Sequence, residues 1–176
     1  MATIDEALKS NQTYAGSFNL GNLPMPPARR LAVIACMDAR LTIEPMLGLK
    51  TGEAHIIRNA GGVATEDAVR SLIISQQLLG TNEVMIINHT DCGMLTFKDE
   101  DLFARLERET GASAVSPEQF HSFPNSEQNV RRQVQKLRAH PWIPKSIVIR
   151  GFVYDVKTGR LNEVEVKSQR AASATD

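Results

Sequence analysis

Cysteine is scarce in this chain: Cys36 and Cys92 are the only two among 176 residues. Two thiols make no disulfide framework, and in a reducing compartment they serve as core residues, metal ligands or catalytic groups. Excess charge is also missing, since Lys plus Arg and Asp plus Glu number 20 each. No run of like charges is long enough to leave an electrostatic footprint for nucleic acid or an anionic membrane. Long apolar runs are absent too, every one falling well short of the roughly 18 residues that span a bilayer. The opening MATIDEALKSNQTY lacks the basic and apolar regions of a secretory signal. These absences predict a soluble, cytoplasmic protein that acts on a small neutral or anionic molecule, with no nucleic-acid or membrane partner. The length suits one core rather than two.

What is present alternates. Three continuous apolar runs, Leu31–Ala35, His55–Arg58 and Val84–Asn88, read as strands buried on both faces, separated by helical patterns rather than tight turns. The clearest helix follows Thr65, whose hydroxyl can cap it. Glu66 and Asp67 suit its positive end, and Val69, Leu72, Ile73, Gln76 and Leu79 recur at helical spacing before Gly80. Further helices are expected over Glu100–Glu109, from Ser116 with Pro117 at the first helical position, and over Glu127–Ala139 with Val130, Val134 and Leu137 on one stripe. At the N-terminus, Thr3 and Glu6 read as a capping box for a helix over about residues 4–14. Ser146–Val156 and Leu161–Val166, joined through Lys157-Thr158-Gly159, read as an antiparallel hairpin. The expected fold is therefore α/β, a mostly parallel sheet flanked by helices with the C-terminal hairpin at its edge. An N-terminal helical arm (1–28), an α/β domain (29–167) and a flexible tail (168–176) make up the predicted organisation.

Both cysteines close apolar runs, RLAVIAC and EVMIINHTDC, and so fall at strand ends, where open α/β sheets present ligands. Alone, either is as well explained as a small buried hydrophobe. His89-Thr90-Asp91-Cys92 adds an imidazole three residues from a thiol, close enough for one metal to hold both, and Gly93 after Cys92 resembles the start of a helical turn that favours a thiolate. Cys36, His89 and Cys92 together match a catalytic zinc set with its fourth position open, whereas structural zinc takes four protein ligands. A fourth ligand from His55, His121, His140 or a carboxylate would make it a non-catalytic zinc-binding module.

Asp38 and Arg40 give the open position a task. On an extended segment Cys36, Asp38 and Arg40 share one face. An ionised Asp only accepts hydrogen bonds, so beside zinc it can orient a bound hydroxide, and Arg40 can hold it charged in a bidentate grip. The alternative is a solvated Asp–Arg pair of little consequence. Two thiolates and a neutral imidazole bring a zinc site to zero net charge, which acidifies bound water less than three neutral imidazoles do; Asp38 adds to that handicap and Arg40 offsets it. Thiol chemistries fail on spacing: Cys36 has Thr42 where a phosphate loop needs arginine, and no Cys-x-x-Cys exists.

Cys36-x-Asp38-x-Arg40 with His89-x-x-Cys92-Gly93, and Arg58-Asn59-Ala60-Gly61-Gly62 between them, resembles the β-class carbonic anhydrases over roughly Leu31–Val166. The resemblance implies Cys36, His89 and Cys92 as zinc ligands and Asp38 with Arg40 as the catalytic dyad. It further implies the Ala60–Gly62 backbone as a pocket lining; read from the residues alone, Gly61-Gly62 is a turn needing positive φ. It implies reversible hydration of carbon dioxide to bicarbonate by zinc-bound hydroxide. A homodimer is expected, or a higher oligomer such as a tetramer, with the N-terminal helix across the partner. In some members the Asp itself ligates zinc at lower pH. CMDAR, HTDCGMLTF and RGFVYDVKTGRLNEV are similar to the short bacterial-type branch, which includes carbonyl sulfide and carbon disulfide hydrolases with the same five residues. The motif thus fixes a mechanism more narrowly than a substrate.

Overall fold

The structure, a computed structural model, describes residues 2–113 and 116–167. Its elements in chain order are α1 (Thr3–Gly16), β1 (Leu31–Cys36), α2 (Ile43–Leu47), β2 (Ala54–Asn59), α3 (Glu66–Gln77), β3 (Glu83–His89), α4 (Asp99–Thr110), α5 (Ser126–Ala139), β4 (Val148–Tyr154) and β5 (Leu161–Val164). The five strands form one sheet in the order β2-β1-β3-β4-β5. All neighbours are parallel except the antiparallel β4–β5 pair at the edge. The α/β expectation and the C-terminal hairpin therefore hold. The expected tail, 168–176, lies outside the described residues.

Strand order explains where ligands meet. From β1 the chain crosses to β2 on one side and then to β3 on the other, so winding reverses between β1 and β3. Such a switch point opens a crevice beyond the carboxyl ends of the two strands. Cys36 is the last residue of β1 and His89 the last of β3.

Alternation along the strands builds two cores. Ala32, Ile34, Val84 and Ile86 join Leu72 of α3 and Val130, Val134 and Leu137 of α5 on one face. Val33, Ala35 and Ile87 face the other way and meet Leu41, Ile43, Met94, Phe123 and Phe152. Gly151 sets how closely α5 approaches β4, because a Cβ there would lie 2.2 Å from Val130 Cγ1.

Thr65 caps α3, its Oγ1 accepting from Ala68 N at 3.4 Å, and Asn125 caps α5 by accepting from Gln128 N at 2.9 Å. Three expectations need correction. The cap of α1 is Ala2 rather than Thr3: the Asp5 carboxylate, not that of Glu6, takes the Ala2 N–H at 3.1 Å. No helix starts at Ser116. The N–H groups of Phe120, His121 and Ser122 go instead to the Asp99 carboxylate at 2.8–2.9 Å, and His121 adopts φ 62, which a right-handed helix excludes. The first strand ends at Cys36, so Asp38 and Arg40 sit in the following loop rather than on an extended face. The five-residue α2 has no counterpart among the sequence expectations, because one turn is too short to display a helical period.

Candidate metal centre

The sulfurs of Cys36 and Cys92 and an imidazole nitrogen of His89 lie within 4.8 Å of one another. All three residues are buried, with His89 fully inaccessible. The two Sγ atoms are 4.0 Å apart and not joined in a disulfide. Cys92 stands just before a short 3-10 turn, Gly93–Leu95, which places it opposite the end of β1.

The tautomer of His89 follows from its neighbour. Nδ1 lies 2.8 Å from the Thr90 carbonyl, which can only accept, so Nδ1 carries the proton. Nε2 then offers a lone pair, and it is buried with no hydrogen-bond partner. An orphaned buried nitrogen is costly unless something binds it. Pointed at two thiols, it fits a zinc-type cation, whose ligands are thiolate and neutral imidazole, and the Thr90 contact is the outer support that metal-bound histidines usually have.

Asp38 borders this group, its Oδ2 3.7 Å from His89 Nε2. Arg40 grips the carboxylate with two bonds, Nε to Oδ1 at 2.9 Å and Nη2 to Oδ2 at 2.8 Å, and the Arg40 backbone N–H adds a third at 2.9 Å. These donors hold the Asp38 carboxyl well below the usual carboxylate range, and Asp38 together with Asp91 holds the Arg40 guanidinium above its ordinary value. The hydrogen bond from Cys92 brings Cys36 down to about 4 against the effect of burial, while the same bond and burial push Cys92 up.

Residues without an assigned part in the sequence reading hold the frame. Arg58 donates from Nε to the Cys36 carbonyl at 3.0 Å and from Nη2 to the Asp38 carbonyl at 2.6 Å, fixing the backbone that bears both side chains. Asn59 closes a ring across Ala60–Gly62, giving to the Val63 carbonyl at 2.7 Å and receiving the Val63 N–H at 2.8 Å. Gly61 and Gly62 are buried and Ala60 is exposed. The turn does require positive φ, 81° at Gly61 and 59° at Gly62. A Cβ on Gly62 would also meet Ile87 O at 2.8 Å and Cys36 N at 2.9 Å, both immovable backbone.

Beneath that turn runs a buried amide chain. Asn88 donates to the carbonyls of Gly61 at 2.9 Å and Gly62 at 3.3 Å. Asn129 donates to Asn88 at 2.7 Å, Gln133 to Asn129 at 2.8 Å, and Gln133 accepts the Ala64 N–H at 3.1 Å. The sequence offers only a faint trace of it: Asn88 is a polar residue next to the end of β3, and Asn129 and Gln133 stand four apart on α5. His55 bonds instead to Ser75 Oγ at 2.7 Å, His140 Nδ1 accepts the Trp142 N–H at 3.2 Å, and neither joins the three-donor group, nor does His121.

A switch-point α/β fold carrying two cysteines and one histidine at one metal-sized spot defines a narrow class of protein. The carbonic anhydrase family model matches residues 31–161. Beta-carbonic anhydrase 1 of Mycobacterium tuberculosis is 50% identical over 93% of this chain and 99% of its own length. A carbonic anhydrase structure from Streptococcus mutans superposes with a TM-score of 0.88 at 42% identity, over 94% of this chain and 99% of that one. A carbon disulfide hydrolase of an Acidianus strain is 36% identical over 91% of this chain and 88% of its own length. The chain belongs to the β-class carbonic anhydrase family. Among the described residues, no helix is long and apolar enough to cross a membrane.

Proposed function

We propose that this protein is a zinc-dependent carbonic anhydrase that interconverts carbon dioxide and bicarbonate. The observation that carries the proposal is the buried, unpartnered Nε2 of His89 facing two thiols, with an Arg-held carboxylate 3.7 Å away. Cys36, His89 and Cys92 would hold the ion, whose contribution when bound is Lewis-acid activation of water. The protein residues then divide the remaining work. The Thr90 carbonyl keeps the His89 proton on Nδ1. Asp38, kept ionised by Arg40, can only accept, so it takes an O–H from the nucleophilic water and aims the free lone pair at the substrate carbon. The Ala60–Gly62 turn is assigned as the lining of the approach for a small linear molecule. Addition of water to carbon dioxide gives bicarbonate and one proton, which leaves to solvent.

The Acidianus relative supports a second reading in which carbon disulfide or carbonyl sulfide replaces carbon dioxide. All three are linear molecules with an electrophilic central carbon. Stopped-flow hydration of carbon dioxide and sulfide release from carbonyl sulfide and carbon disulfide, run in parallel on zinc-loaded protein, decide between the readings. Rapid carbon dioxide hydration with little sulfide release is expected. Sulfide release without carbon dioxide hydration would overturn the assignment in favour of a hydrolase, and neither activity would leave a non-catalytic zinc module.

A homo-oligomer, dimer or tetramer, completes the proposal. Helix α1 buries none of its residues in its own chain, and Ile4 and Leu8 are 74% and 61% exposed. A 14-residue helix is marginal in water unless its apolar side packs, and a second copy of the chain supplies that surface.

A further inference from the structure

The geometry points to Asp91 as a positioning residue that locks the Arg40–Asp38 dyad to the segment carrying His89 and Cys92. Arg40 Nη1 donates to Asp91 Oδ2 at 2.7 Å and Nη2 to the Asp91 carbonyl at 2.9 Å. With Nε and Nη2 also on Asp38, four of the five guanidinium N–H donors are engaged. Asp38 and Arg40 by themselves form a local pair two residues apart; Arg58 fixes the Asp38 backbone, which still leaves the two side chains free to turn together. Asp91 removes that freedom, because it sits between two of the three metal-ligating candidates on the other strand's extension.

Two features separate this arrangement from an ordinary surface ion pair. Asp91 holds φ at 55°, a left-handed backbone that Asp tolerates better than most side chains, and the same residue contacts the guanidinium through both carbonyl and carboxylate. Its side chain is 75% exposed and that of Arg40 45%. An ion pair so open to water contributes little to stability, so what it supplies is direction: a planar fork held from both sides cannot rotate away from Asp38. Mechanical fixation of the acceptor then sets the attack angle of the water that Asp38 orients. This inference rests on the proposed hydration activity.

The test uses zinc-loaded Asp91→Gly, which keeps the left-handed backbone unstrained, and Asp91→Asn, whose amide oxygen still accepts from Nη1, each in the parent and the Arg40→Ala background. Asp91→Gly should lower kcat/KM for carbon dioxide about tenfold with zinc content and Tm unchanged, and Asp91→Asn should recover most of the loss. In the Arg40→Ala background Asp91→Gly should add nothing, since the two residues act as one unit. A second readout is independent of turnover: the Arg40 Nε–H resonance, assigned by its absence in Arg40→Ala, should be sharp and exchange-protected in the parent and lost to exchange in Asp91→Gly. Unchanged kcat/KM, losses that multiply in the Arg40→Ala background, loss of zinc, or an undisturbed Nε–H signal would each overturn the role of Asp91. A parent enzyme without carbon dioxide hydration would overturn the activity instead, leaving the resonance to report on Asp91 alone.

Discussion

His89 shows how a neighbour's carbonyl decides a residue's chemistry: with Nδ1 committed to Thr90, only Nε2 remains for a ligand. His89→Ala and Cys36→Ser should therefore lose zinc, read by metal analysis, and carbon dioxide hydration with it. Asp38→Asn should keep full zinc but lose about a hundredfold in turnover or more, because an amide no longer offers an acceptor of fixed direction. Gly62→Ala should destabilise the fold by at least about 2 kcal/mol in chemical denaturation, since the new methyl meets the backbone of Ile87 and Cys36 at a positive φ. The candidates at 36, 38, 40, 89 and 92 were readable as candidates because two thiols, an imidazole and an acceptor–donor pair have a narrow chemical vocabulary. Arg58 and Asp91 were not, because their work is done on backbone carbonyls and on another side chain's orientation, which leave no pattern in spacing.

Among the elements, α3 and α5 were legible from apolar recurrence and cap residues, and β1 and β3 from unbroken apolar runs. The amide chain Asn88–Asn129–Gln133 stayed hidden in those same elements, since polarity inside a buried stripe contradicts the pattern used to find the stripe. It joins α5 to the glycine turn, so Asn129→Leu should strand Asn88 and Gln133 and cost about 2–3 kcal/mol of unfolding free energy. The helix expected after Ser116 failed for a related reason. A proline-first start signal lost to Asp99, whose carboxylate takes three consecutive backbone N–H groups. Burial opposes ionisation of Asp99, yet the hydrogen bonds from Ser122, His121 and Phe120 outweigh it and lower its pKa. A lowered folded value means that its contribution is complete above the ordinary 3.8 and fades as the pH falls below it. Acid unfolding followed by circular dichroism should thus begin at a higher pH in the parent than in Asp99→Asn measured against its own neutral-pH stability.

For the molecule as a whole, sheet order was legible only as parallel pairing; which strands neighbour each other is set by crossover handedness and long-range packing, and no local run of residues encodes it. The exposed apolar side of α1 predicts an assembly larger than one chain. Light scattering after size exclusion should give a dimer or tetramer mass, and Ile4→Glu with Leu8→Glu should shift it toward monomer. Cys36 ends β1 and Cys92 lies just beyond β3, 56 residues apart, so in the proposed site one ion would clasp the two central strands. A growing chain would have no complete site until residue 92 has been made and β1 and β3 lie side by side, so on the proposed assignment metal affinity would gauge whether the middle of the sheet is finished. Chelation should lower Tm and soften β1 and β3 first in hydrogen exchange, with the binding energy returned to the fold as metal is restored.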